Sequence, residues 1–172
     1  RRTSGLEYPM NAMRPVTTAD YAAICAIYNH YVMNTAISFE EQPVPVAEMA
    51  ARGSEIASAS FPWLVAESDA GIVGYAYAGK WKGRCAYRYS AEATVYVAPT
   101  ATGRGIGTLL YRGVFDALRA LQMRVVIGGI ALPNEASVAL HEKMGMRKVA
   151  HFEQVGYKFG RWIDVAYYQR SL

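Results

Sequence analysis

Three features of the chain could do chemistry. One is a glycine-rich run, Gly103-Arg104-Gly105-Ile106-Gly107. The others are an acid in an apolar stretch, Glu92, and a histidine, His141, seven residues after Asn134. An apolar, β-branched stretch over Tyr87–Val97 runs into the glycines. A helical pattern follows them to about Leu121, with Leu110, Val114, Ala117 and Leu121 on one face. A strand, a glycine turn and a helix start together make an anion site. The first N–H groups of a helix have no intrahelical partner, and glycine lets a phosphate approach without a Cβ in the way. The competing reading is a plain strand-to-helix turn. The run is not a P-loop, because no Lys follows the glycines. Nor is it a dinucleotide fingerprint: the third glycine would fall at Thr108, and the next strand, Arg124–Ile127, ends without an acid.

Glu92 and His141 are the side chains able to take a proton. If Val95 and Val97 face one side of their strand, Ala93 joins them, and Glu92, Thr94 and Tyr96 share the other. A solvent-facing strand acid and a helix-surface histidine are the alternatives. Lys82 and Arg84 precede the strand in a loop. Arg offers a carboxylate a planar two-pronged contact and Lys a point charge, unless the pair is merely solvated. The histidines and acids show no ligand spacing such as H-x-x-x-H, so no metal is expected.

The elements that must hold these groups follow from periodicity. Thr17 to about Asn34 reads as a helix, opened by Thr17 with Asp20 and facing inward through Ile24, Ile27, Tyr28 and Tyr31. Val46–Ala59 reads as a second helix with Met49 and Ile56 inward. Trp63–Glu67 and Ile72–Ala78 form a hairpin. After the glycine turn and its helix come a short buried strand, Arg124–Ile130, and a helix from Asn134 to Met144 that Gly145 stops. Two strands close the chain, about Lys148–Val155 and Arg161–Gln169. The order implies one α/β domain with a mixed sheet and helices on both faces. Residues 1–12 show no period and read as an extension ahead of a domain at 13–172.

Composition sets the limits. The chain has 172 residues, 52% apolar and 19% charged, which fits about one folded domain and excludes disorder. No apolar run reaches the ~18–20 residues of a membrane span. Net charge is +4, mild enough for an anionic small ligand and too scattered for a nucleic-acid surface. Cys25 and Cys85 have neither disulfide-framework nor metal spacing, so reduced thiols in the cytoplasm are expected.

Thr102-Gly103-Arg104-Gly105-Ile106-Gly107 resembles the acyl-CoA turn of the GNAT N-acetyltransferases, with Thr102 where that family usually has Gln or Arg. Pro133-Asn134-Glu135-Ala136-Ser137 and Leu140–Met146 resemble its second landmark. Pro62–Glu67, Ala76–Tyr87, Glu92–Val97, Asn29-His30-Tyr31 and Gly156–Val165 are similar to the phosphinothricin and methionine sulfoximine N-acetyltransferases. The resemblance implies a mostly antiparallel mixed sheet and acetyl-CoA-dependent acetylation of the α-amine of a small amino acid or analogue. It implies acetyl-CoA along Val95, Tyr96 and Val97, on Gly103, Arg104, Gly105, Ile106, Gly107 and Thr108, and at Asn134. Lys82, Gly83, Arg84, Tyr87, Glu92, Ala93 and Thr94 would meet the acceptor, with Glu92 or His141 as the base. It also implies a homodimer. A non-catalytic CoA sensor and an acetylase of other amines or protein termini are the rival functions.

Overall fold

In the computed structural model, residues 10–172 are described. Seven strands form one sheet: β1 (Met10–Pro15), β2 (Trp63–Ser68), β3 (Gly71–Lys80), β4 (Ser90–Val97), β5 (Val125–Ala131), β6 (Arg147–Lys158) and β7 (Arg161–Ser171). The helices are α1 (Tyr21–Asn34), α2 (Val46–Ser58), α3 (Ile106–Ala120) and α4 (Glu135–Lys143). The strand order is β1-β2-β3-β4-β5-β7-β6, antiparallel at every junction except β4 with β5. No helix among the described residues is long and apolar enough to cross a membrane.

Each sheet face has its own core. Ala91 and Ala93 of β4 pack toward α3, where Leu110, Tyr111, Val114, Phe115 and Leu118 are buried. Val65 and Tyr75 pack with Trp63 toward α1 and α2, against Ile24, Ile27 and Met49. Tyr96 sits on that second side with Tyr28 and Tyr31, so β4 alternates as its sequence predicts.

Four expectations need correction. Residues 10–12 are not an extension: they open β1, which pairs with β2 at the sheet edge. The rest of that segment, 1–9, lies outside the described residues. The turn Thr18–Asp20 is a 3₁₀ helix ahead of α1, and Asp20 accepts from the Thr17 backbone N–H at 2.7 Å and from Arg14 at 2.8 and 2.9 Å. That pairing holds the Asp20 carboxyl at about 2. The strand expected from Tyr87 begins at Ser90, because Cys85–Tyr87 curl into a 3₁₀ turn. On α3, Tyr111, Phe115 and Leu118 face inward and Leu121 is exposed. The helix ends before Leu121, so the face drifts at its last turn.

One buried cation ties distant segments together. Lys158, at the end of β6, is only 3% exposed, and its Nζ donates at 2.7 Å to the carbonyls of Val32 and Ser38. Val32 lies in the last turn of α1, where carbonyls lack helix partners. Beside it the Phe39 ring packs on Gly156, where a Cβ would stand 2.5 Å from the ring. The β6–β7 hairpin thus clamps residues 32–39. Lys158→Met leaves both carbonyls without their charged donor, which should cost about 2–4 kcal/mol. The thermal midpoint should fall by roughly 5–15 °C. A shift under about 2 °C in calorimetry would show that the clamp contributes nothing.

Candidate active site

The parting of two strands makes the cleft. β4 and β5 pair only at Ser90 with Val125, Ala91 with Val126 and Glu92 with Ile127. Beyond Glu92 each strand stays with its other neighbour, β4 with β3 and β5 with β7, and a gap opens between them. Two carbonyls of the β4 segment beyond the split accept from phenols: Ala93 from Tyr111 at 3.3 Å, and Val97 from Tyr31. Val95 lies between them, and Val95, Tyr96 and Val97 line the groove that leaves the gap.

Glu92 is the last paired residue of β4 before the split. It lines the cleft with Ala93, Thr94, Tyr111, Gly129, Asn134, Ser137 and His141. Burial raises its carboxyl above the ordinary value, so it holds a proton more readily than a surface glutamate.

His141 comes to the same cleft from α4, and its ring is fixed at both nitrogens. Nδ1 lies 2.7 Å from the Ser137 carbonyl, one turn back, which can only accept, so Nδ1 carries the proton. Nε2, bare in that neutral ring, lies 3.2 Å from the Tyr111 hydroxyl, whose single proton it shares with the Ala93 carbonyl. The side chain is 3% exposed, and burial pulls its pKa below the usual value. A Cβ at position 128 would lie 2.5 Å from Nε2, so Gly128 on β5 makes the room the imidazole occupies.

A second, open cavity of about 620 Å³ continues the cleft along Val95–Val97, Thr102, Gly103, Gly105–Thr108, Asn134 and Leu140. At α3 the helix opens from Gly105 at φ +79°, and no side chain caps it. Gly103 has φ +75°, and a Cβ on either residue would meet no atom within 4 Å. Those two glycines leave the approach to the first-turn N–H groups clear. Gly107 does a different job: its Cβ would stand 3.0 Å from the Leu140 side chain, so it lets α4 pack against α3. Asn134 caps α4, its Oδ1 accepting from the Ser137 N–H at 3.1 Å, which leaves its NH₂ end as the donor at the groove. A diphosphate with a long neutral arm fits this set of donors.

Not every expected residue meets in the cleft. Glu92, Ala93, Thr94 and His141 do. Lys82, Gly83, Arg84 and Tyr87 line a separate open depression of about 540 Å³, on an exposed loop that follows β3. Arg104 sits in the glycine turn but lines a third cavity with Ser68 and Thr100. Among the described residues no group of three or more His, Cys, Asp or Glu could hold a metal ion.

Residues 13–167 match the acetyltransferase (GNAT) domain. The chain belongs to the GNAT acetyltransferase family. It is 40% identical to the phosphinothricin N-acetyltransferase of Streptomyces coelicolor, over 93% of this chain and 95% of that protein. It is 37% identical to the L-methionine sulfoximine/L-methionine sulfone acetyltransferase of Salmonella typhimurium, over 90% of each. Among solved structures, the phosphinothricin acetyltransferase of Sinorhizobium meliloti in complex with AcCoA superposes with a TM-score of 0.91 at 37% identity. That match covers 94% of this chain and 88% of the other.

Within this GNAT domain the partners of two tyrosines have no signal in the sequence. Tyr111 stands 30 positions from His141, and Tyr31 stands 66 from Val97, so neither partnership has a spacing to read. Ser137 could have been found, because four residues back on a helix is where a buried histidine seeks an acceptor.

Proposed function

We propose that this GNAT acetyltransferase transfers the acetyl group of acetyl-CoA to the α-amine of a small amino acid or analogue of the phosphinothricin or methionine sulfoximine kind, releasing CoA. The observation that carries the reading is the half-buried Glu92 at the fork of β4 and β5, with its carboxyl raised, one strand-length from an uncapped helix start cleared by glycines. Acetyl-CoA brings an activated thioester. The chain's own task is to hold two reactants together, free the amine of its proton and place it.

The N–H groups from Gly103 to Thr108 hold the diphosphate, and the β4 edge at Val95, Tyr96 and Val97 with Asn134 aligns the arm. Arg104 contributes through its backbone, since the residue lines the cavity with Ser68 and Thr100 and not the groove. Glu92 takes the ammonium proton, because it is the titratable carboxylate in the cleft. Ala93 and Thr94 border the acceptor beside it. His141 is the weaker base, since Nδ1 is occupied by Ser137 and Nε2 by Tyr111. It orients Tyr111. Lys82 and Arg84, which line their open depression with Gly83 and Tyr87, supply the cations that an amino acid's carboxylate or a phosphinate needs.

We also infer that the chain forms a homodimer through its β6–β7 hairpin. Phe152, Val155, Tyr157, Phe159 and Trp162 are exposed on the β6–β7 hairpin, apolar side chains that a second copy would cover. Cys25 and Cys85 are unbridged, as suits a cytoplasmic enzyme. Sedimentation equilibrium at micromolar concentration should give twice the chain mass, and a monomer would reject the dimer.

A panel of amino acids and analogues tests the reaction, with thiol release followed and products weighed by mass spectrometry. An N-acetyl amino acid should form, and Arg84→Ala should raise the acceptor KM by about tenfold or more while the KM for acetyl-CoA stays. No acetylated amino acid from any member of the panel would refute the reading.

A further inference from the structure

The strand glycines of this sheet mostly have a visible reason. A Cβ at Gly74 would stand 3.1 Å from Ile106, at Gly129 3.0 Å from Tyr167, and at Gly156 2.5 Å from Phe39, while Gly128 makes room for His141. Gly79 has none of these reasons. It lies inside β3, its φ is not positive, and a Cβ there would meet no atom within 4 Å. A strand-interior glycine weakens the strand and marks a place where something approaches the backbone closely. Among the described residues nothing approaches this one.

Its place in the register says what does. Gly79 pairs directly with Glu92. Directly opposed residues share a sheet face, with Cβ positions roughly 4.5–5.5 Å apart. Tyr77, two positions earlier on the same face, pairs with Thr94. Trp81 lies two positions later, and its ring meets Tyr167 edge-on at 5.3 Å. Gly79 therefore leaves open space on the face that carries Glu92, a bare floor between Tyr77 and Trp81 along the chain. An amine whose proton goes to Glu92 has that open floor directly across the strand pair from the carboxylate.

We propose that Gly79 sets the size of the acceptor: the empty space above it admits the body of a small, unbranched α-amino acid, and a side chain there closes the slot. This rests on the acetyl-transfer reading given above.

The test is a pair of variants, Gly79→Ala and Gly79→Val, compared with the parent for the KM of the best amino-acid acceptor, the KM of acetyl-CoA and the thermal midpoint. One methyl-sized group added to or taken from a substrate pocket changes specificity by about 10–200-fold. The acceptor KM should rise about tenfold for Ala and about a hundredfold for Val. The acetyl-CoA KM should not move. The midpoint should hold or rise, since a β-branched residue suits a strand better than glycine. A Val variant with the parent's acceptor KM overturns the inference, as does one in which both KM values worsen and the midpoint falls together, because that is a folding defect. A parent that acetylates no amino acid on the panel overturns the underlying reading and this inference with it. That failure shows in the parent itself, so the two are told apart.

Discussion

The structure depends on a failure of pairing. β4 and β5 run parallel for three residue pairs, ending at Glu92 with Ile127, and then separate while each keeps its antiparallel partner on the other side. A backbone edge left without a neighbour is costly in a protein interior. Here the cost is partly met by two tyrosines, Tyr111 at the Ala93 carbonyl and Tyr31 at the Val97 carbonyl, one reaching in from each face of the sheet. What the tyrosines leave open between them is a hydrogen-bonding edge facing a gap. The base at the fork, the groove along Val95–Val97 and the helix start beyond it all follow from that one divergence.

Burial then sets the electrostatics. Desolvation disfavours charge on either sign of group, so it raises the Glu92 carboxyl and lowers His141. Burial therefore brings the Glu92 carboxyl closer to neutrality and takes His141 further below it, leaving the imidazole neutral. The hydrogen bonds separate their roles. His141 spends one nitrogen on Ser137 and the other on Tyr111, in the space that Gly128 leaves for its ring. For Glu92 the shift comes from burial, with no hydrogen bond from the described residues holding the carboxyl in one protonation state, which is what a group awaiting an ammonium requires.

Much of this was legible in the sequence wherever the signal was local. Gly103, Gly105 and Gly107 with the strand before them marked the groove, and the missing Cβ of Gly107 also gives Leu140 room to pack. The alternation through Ala93, Val95 and Val97 put Glu92 on the opposite face. The hairpins and the capping Asn134 were readable from turn and cap chemistry. Pairings between distant segments were not. The Lys158 clamp on Val32 and Ser38 spans more than a hundred residues, and its lysine reads as an ordinary surface charge. β1 escaped because a six-residue edge strand beginning Met-Asn-Ala carries almost no alternation. The loop at Lys82–Tyr87 was expected to flank Glu92, yet its charges sit on an exposed surface that sequence alone cannot aim.

The central claim is that Glu92 is the base, and the pH dependence of kcat/KM for Glu92→Gln tests it most directly. In the parent, kcat/KM should rise as pH climbs through the raised carboxyl pKa of Glu92, and again as the acceptor amine, with an ordinary pKa near ~8, loses its proton. Glutamine keeps the shape but holds no proton. The variant should lose the lower step, fall by about 10²–10⁴-fold near neutral pH, and recover part of the activity at high pH, with its acetyl-CoA KM unchanged. A Glu92→Gln enzyme that keeps the parent's profile within tenfold, while His141→Ala abolishes it, would contradict the account and make the histidine the base.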